Sequence, residues 1–200
     1  MIVTKIEKIK STYFKVYIDE EFAFRLTKGE LSRFFIEENK EISQEKLHEI
    51  QSAVTKRAKK YILHLLEDMD RTEEQLRTKL KDKDYTKETS DAAISYAKGF
   101  GYINDANFAL RFLESKKHQK SKKELYYLML QKGFDKEDIS AAFSSGYQED
   151  VDEEIALENL MHKRKFTRED QNEKEIKKAQ AYFLRKGFSY DIVKRLFLDR

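Results

Sequence analysis

Hydrophobic and polar positions alternate with period two near the N-terminus. Phe14, Val16 and Ile18 are interleaved with Lys15 and Tyr17, and Phe22, Phe24 and Leu26 with Ala23 and Arg25, which is the spacing of strands that turn one face to a core. The polar triplet Asp19-Glu20-Glu21 between them marks a hairpin, without the glycine that a tight turn favours. Ile2, Thr4 and Ile6 continue the alternation as a third strand. The period changes near Gly29. From Ser43 onward Leu47, Ile50, Val54, Ala58, Ile62 and Leu65 fall three or four apart, forming one stripe of a long helix, with Glu45, Glu49, Lys56 and Lys60 on its other faces. Thr72 with Gln75, and Ser121 with Glu124, carry the residue types of capping boxes.

A phrase then repeats. Lys132-Gly133-Phe134 and Lys186-Gly187-Phe188 each separate two apolar stretches, and Lys83-Asp84-Tyr85 is a blurred earlier copy. Taking Tyr85, Phe134 and Phe188 as origin, Leu76, Leu125 and Ala179 stand nine residues before, Leu80, Met129 and Phe183 five before, and Ile94, Phe143 and Phe197 nine after. The spacing predicts a helix ended by Gly133 or Gly187 in a left-handed cap, an aromatic ring folding back, and a new helix from Asp135 or Ser189. In the first copy Asp84 replaces the glycine, so that helix is expected to end differently. With the helices expected over residues 43–69, 105–119 and 151–165, each copy becomes a three-helix unit. The fold class is therefore mainly α, with tandem three-helix repeats in an elongated array after a small N-terminal β-rich segment. The expected division is 1–42 for that segment and 43–103, 104–150 and 151–200 for the repeats.

Composition narrows the function. With 40% hydrophobic and 12% aromatic residues the chain can bury a core, and the absence of proline suits long helices. Charged residues reach 38%, yet 40 basic against 37 acidic side chains leave only +3, so attraction to a polyanion must come from local clusters. The absence of cysteine removes thiolate metal sites and disulfides, and the first residues lack the pattern of a secretory signal, so a cytoplasmic protein is expected. No phosphate-binding glycine loop or nucleophile elbow occurs, and His48, His64, His118 and His162 lack zinc-site spacing. The expectation is a protein that is not an enzyme and holds neither cofactor nor metal.

The basic residues carry the remaining information. Lys56, Arg57, Lys59 and Lys60 form one cluster, Lys116, Lys117, Lys120, Lys122 and Lys123 a second, and Lys163, Arg164, Lys165 and Arg168 a third, each at or near the first helix of a unit or its exit. Solvated surface is the bland account of any one cluster; recurrence favours a repeated partner. Tyr126, Tyr127 and Phe166 lie near them as rings that either stack on bases or fill the cores.

Leu66 through Arg71-Thr72 with Leu76 and Leu80, then Gly101-Tyr102-Ile103-Asn104-Asp105 with Phe108-Ala109, and the Lys-Gly-Phe punctuation at 132–134, together resemble the RecX family of bacterial RecA regulators. The strand-rich preface fits the Gram-positive-type members. The chain departs from the family pattern at Met69, Gln75 and Asn104, and at Glu20 or Asp84, where glycine is often found. The resemblance implies a modulator that binds the RecA filament on single-stranded DNA, lying in its groove across successive protomers. Such a modulator inhibits filament growth, ATP hydrolysis, strand exchange and co-protease activity. Arg71 and Arg77 join the three basic clusters as candidate contacts, while Tyr85, Gly101, Tyr102, Asp105, Phe108, Gly133, Phe134, Gly187 and Phe188 are the candidate structural motif. A monomer without membrane attachment is expected. A helical module that binds DNA directly and a passive helical scaffold are the alternatives.

Overall fold

The computed structural model describes residues 1–10, 12–166 and 172–198 and forms two compact units, Met1–Asn104 and Asp105–Arg200. In the first, strands β1 (Val3–Lys10), β2 (Tyr13–Ile18) and β3 (Glu21–Thr27) make an antiparallel sheet in sequence order. Val16, Ile18, Phe24 and Leu26 turn inward and are buried, as the alternation predicts. The hairpin closes on Asp19 and Glu20 with φ of 47° and 72°, a conformation that costs non-glycine residues energy. The start of β1 and the residue before it offset that cost: Asp19 N–H donates to the Ile2 carbonyl at 2.9 Å, Ile2 N–H to Asp19 Oδ1 at 2.8 Å, and Glu20 N–H to Thr4 Oγ1 at 2.9 Å. The expected alternation of β1 fails at its start. A register shift between Val3 and Lys5 turns Val3 inward, leaving it 1% exposed, and puts Ile2 outside at 44%.

Helix α1 (Lys28–Arg33) follows directly from β3 through a capping box of Thr27 and Glu30. Helix α2 (Gln44–Asp68) splits its apolar stripe between two cores. Ile50 and Val54 pack with the sheet, whereas Ala58 and Ile62 pack with Leu76 and Leu80 of α3 (Glu73–Lys81) and with Ala93, Ile94 and Ala97 of α4 (Lys87–Gly99). One rigid helix thus serves both the strand-rich segment and the first helical trio.

The second unit holds α5 (Asp105–Lys116), α6 (Lys122–Lys132) and α7 (Lys136–Gly146), then α8 (Glu149–Lys163), α9 (Glu173–Arg185) and α10 (Tyr190–Leu198). Phe134 is enclosed with Leu113, Leu125, Met129 and Ile139, and Phe188 with Leu157, Phe183, Ile192 and Val193. Polar contacts tie the two trios together. Ser121 Oγ donates to the Lys186 carbonyl at 2.7 Å, Lys122 N–H to Glu153 Oε1 at 2.9 Å, and Asn159 Nδ2 to the His118 carbonyl at 3.0 Å.

The Lys-Gly-Phe phrase is a helix stop. Phe134 N–H reaches back to the Met129 carbonyl at 3.2 Å over Gly133 with φ 90°, and Phe188 N–H to the Phe183 carbonyl at 3.3 Å over Gly187 with φ 92°, the bond that closes a Schellman motif. The expectation of a different ending at Asp84 is corrected: Asp84 adopts φ 55° and Tyr85 N–H bonds the Leu80 carbonyl at 3.2 Å, so the motif persists without glycine. Its carboxylate meets Lys15 Nζ at 2.7 Å and Arg25 Nη1 at 3.5 Å, contacts that hold a residue glycine would replace. The same closure recurs at Gly101-Tyr102, where Tyr102 N–H bonds Ala97 O at 2.9 Å, at Lys165-Phe166, where Phe166 N–H bonds Met161 O at 3.1 Å, and at Phe35-Ile36, where Ile36 N–H bonds Leu31 O at 3.0 Å. The expected box at Ser121 is half formed: Ser121 Oγ accepts from Glu124 N–H at 3.2 Å, but the Glu124 carboxylate is taken by Lys120 at 2.6 Å.

Candidate interaction surface

Helical periodicity sends the members of each basic run to different faces, and their partners then differ. On α2, Arg57 is half-buried and committed to the fold. Its Nη1 lies 2.6 Å and 2.5 Å from the two Glu30 oxygens, its Nη2 donates to the Arg25 carbonyl at 2.5 Å, and its Nε to the Tyr85 hydroxyl at 3.3 Å. Because Glu30 also accepts from Thr27 N–H at 2.7 Å, the Glu30–Arg57 pair covers the last outward backbone groups of β3. Lys56 and Lys60 remain exposed, and the Lys59 ammonium sits 4.6 Å from the centre of the Tyr96 ring. Lys56 and Lys59 share a groove of about 870 Å³ between α2, β3 and the start of α4. Tyr96 continues to exposed Phe100 and Tyr102, with successive ring centres 4.8 Å and 6.0 Å apart.

Arg71 and Arg77 are also drawn inward. Arg71 Nε donates to the Leu65 carbonyl at 3.2 Å, at the turn between α2 and α3. Arg77 bridges Glu73 at 2.7 Å and Asp91 at 2.6 Å, and hydrogen bonding to Asp91 raises its already high pKa further. Burial pushes the Glu73 carboxyl up, but hydrogen bonds from Lys98 and Arg77 outweigh it and hold the group below the usual range. These contacts join α3 to α4.

In the second cluster Lys117 donates to the Gly146 carbonyl at 3.0 Å and pairs with Glu114 at 3.1 Å, Lys120 pairs with Glu124 at 2.6 Å and Lys122 with Glu149 at 2.7 Å. Among the described residues Lys116 and Lys123 meet no carboxylate. In the third cluster Lys163 and Lys165 are exposed, and the Arg164 guanidinium lies 3.6 Å from the centre of the Tyr182 ring. Arg168 lies outside the described residues.

Asp105 opens α5, and Phe108 supplies an edge-on ring to Phe134 at 5.0 Å. Of the rings near the basic clusters, Phe166 packs on Phe197 at 5.6 Å and Tyr126 is half-buried, while Tyr127 is 54% exposed.

A buried acidic pair is hidden in the hydrophobic pattern. Asp152 and Glu153 are each 4% exposed while neighbouring Val151 is 51% exposed. Asp152 meets His118 Nε2 at 2.7 Å and accepts from Gln148 N–H at 2.7 Å. Burial raises the Glu153 pKa against backbone hydrogen bonds from Lys122 and Ser189. The clue lay in spacing, since both residues stand one turn before the buried Ala156 and Leu157. No helix among the described residues is long and apolar enough to cross a membrane.

The family model for the first three-helix domain of RecX matches residues 58–96, and that for the third matches residues 152–197. The chain is 32% identical over 198 residues to a protein named regulatory protein RecX from Caldanaerobacter subterraneus, covering 98% of each chain. It is 28% identical to the Bacillus subtilis protein of the same name over 96% of this chain and 74% of that one. A crystal structure of a regulatory protein RecX superposes with a TM-score of 0.60 at 21% identity, over 100% of this chain and 99% of the other. RecX from Lactobacillus salivarius gives 0.59 at 21% identity over 74% and 97%.

Proposed function

The chain belongs to the RecX family, and from that premise we propose that it is a regulatory protein that binds the RecA filament on single-stranded DNA. Its binding restrains RecA's recombinase, ATPase and co-protease activities, and so acts on homologous recombination and the SOS response, in the cytoplasm and without chemistry of its own. The observation that carries the reading is the full-length 32% identity to a regulatory protein RecX. The three-helix segments 43–103, 104–150 and 151–200 act as successive contact modules, and several weak contacts on a repeating filament raise avidity by about 10²–10⁴ over one module.

The partners of the basic residues refine which of them face RecA. Arg57, Arg71, Arg77, Lys117, Lys120 and Lys122 have structural partners. Lys56, Lys60, Lys116, Lys123, Lys163 and Lys165 are the contact candidates, because breaking no internal ion pair leaves their charge available to a partner. The test is RecA strand exchange and single-stranded-DNA-dependent ATPase with the parent chain and a Lys116→Glu/Lys123→Glu variant. Inhibition by the parent, weakened in the variant at unchanged melting temperature, is expected. An inert parent chain overturns the proposal, and a fully inhibitory variant removes the middle cluster from the contact surface.

A further inference from the structure

The second and third trios have separate buried cores. Among the described residues, Leu113, Leu125 and Phe134 lie in one and Leu157, Phe183 and Phe188 in the other, and no buried apolar side chain belongs to both. What joins the trios is a row of polar contacts. Ser121 Oγ donates to the Lys186 carbonyl and Asn159 Nδ2 to the His118 carbonyl, while the Glu153 carboxyl of α8 accepts from Lys122 N–H at the start of α6 and from Ser189 N–H before α10. His118 and Lys117 reach Asp152 at 2.7 Å and 3.8 Å. Two unfilled clefts flank this row. One of about 730 Å³ lies between Tyr126 and Phe143 on one side and Glu153 and Ser189 on the other, and one of about 390 Å³ between Gln131 of α6 and Arg185 of α9.

Parting such a seam uncovers little apolar core. Water replaces the polar contacts, whose net strength is small for that reason, and the clefts forfeit the dispersion contacts that close packing would add. The closed seam also strands a polar group. The Tyr147 hydroxyl is buried without a hydrogen-bond partner among the described residues, and the carboxylates that bear on it, Glu153, Asp152 and Glu149, all belong to α8 across the seam. Water admitted by opening satisfies that hydroxyl and so favours the open form. The chain crosses the seam once, at Tyr147-Gln148. Tyr147 N–H bonds back to the Phe143 carbonyl at 3.2 Å and Gln148 N–H forward to Asp152 Oδ2 at 2.7 Å, so each trio holds its own side of the crossing and turning is confined to the dihedrals of these two residues.

We propose that the seam is a hinge: the third trio swings away from the second about Tyr147-Gln148, each trio staying folded, with the contacts of Glu153, Ser121 and Asn159 as the latch. Hinges concentrate their motion in a few residues at the ends of elements, as this crossing does. The inference stands on the seam alone and is independent of the RecA reading. It gives the two trios an adjustable spacing, which a surface made of two contact modules uses to engage partner sites that are not held at one fixed distance.

The chain has no cysteine, so Gln131→Cys with Arg185→Cys places spin labels only on the two exposed walls of the smaller cleft. Pulsed electron resonance on the full-length chain then gives the ratio of short to long label separations, and both separations are expected. Tyr147→Phe removes the stranded hydroxyl and raises the ratio of closed to open at least about fivefold. Glu153→Ala lowers it at least about fivefold, and Asn159→Ala, at an exposed position, about threefold. Far-ultraviolet circular dichroism is expected to be unchanged in all three. A single short separation in the parent and in both loosened variants, a ratio that no variant moves, or a long separation that appears only with lost helicity overturns the proposal.

Discussion

Replacing Phe134 by alanine is the sharpest test of the repeat as a physical unit. The ring is 3% exposed and is met by Phe108 edge-on at 5.0 Å and by Phe112 at 5.9 Å. It is placed there by the left-handed Gly133 and the backbone bond to Met129, so the surrounding helices have little freedom to collapse into the space left behind. Truncation of a fully buried phenylalanine costs about 3–5 kcal/mol, from lost transfer energy and an unfilled cavity. For a unit of this size that lowers the melting temperature by at least about 12 °C. Urea unfolding followed by far-ultraviolet circular dichroism measures it, with Tyr127→Ala as an exposed control expected within about 0.5 kcal/mol of the parent. A loss below about 1 kcal/mol for Phe134→Ala, against the few kcal/mol of a core truncation, would refute the reading of this ring as the keystone of its trio.

Other substitutions probe the remaining joints. Arg57→Ala leaves Glu30 and the Arg25 carbonyl without their partner; for a pair about a quarter exposed the expected cost is about 1–3 kcal/mol, against less than about 0.5 kcal/mol for the neighbouring exposed Lys56→Ala. Gly187→Ala forces a side chain to φ 92° and places its Cβ 2.9 Å from Ser121 Oγ and 3.0 Å from Lys123 Cβ, so thermal melting should show a loss of about 1–3 kcal/mol. Glu153 makes stability depend on pH. Its folded-state pKa is raised, so as pH climbs from the ordinary glutamate range through the raised value the folded chain retains a proton that the unfolded chain has released, and stability falls. Urea melts across that window should show a shallower decline in Glu153→Gln; an identical slope removes Glu153 from the account.

Most of the architecture was legible because the local chemistry and the tertiary packing agree. The period-two segment, the α2 stripe and the columns around Tyr85, Phe134 and Phe188 all lead to cores, since each depends on a spacing that one element alone imposes. The stop at Asp84 was not legible. A left-handed aspartate is stable there only because Lys15 and Arg25, distant in sequence, hold its carboxylate. The same limit applies to Ile2 and Val3, whose faces are exchanged by a bulge, and to the hairpin, whose turn is held by the backbone of a third strand. Basic clusters were visible as runs, but a run does not tell which lysine meets an acid. Lys120 pairs within its own turn, whereas Lys122 finds Glu149 across the fold. Asp152 and Glu153 were hidden by composition, because an acidic helix start ordinarily faces water and here it faces His118 and the first turn of α6.

The central claim is that the assembled filament, rather than RecA or DNA singly, is what this chain recognises. Co-sedimentation of the full-length chain with RecA and single-stranded DNA in the presence of a nonhydrolysable nucleotide tests it, beside RecA alone and bare single-stranded DNA at the same salt. Preferential retention on the filament, at least about tenfold tighter than on either component as multiple weak contacts require, is the predicted result. Retention on bare DNA that does not increase when RecA is added would contradict it.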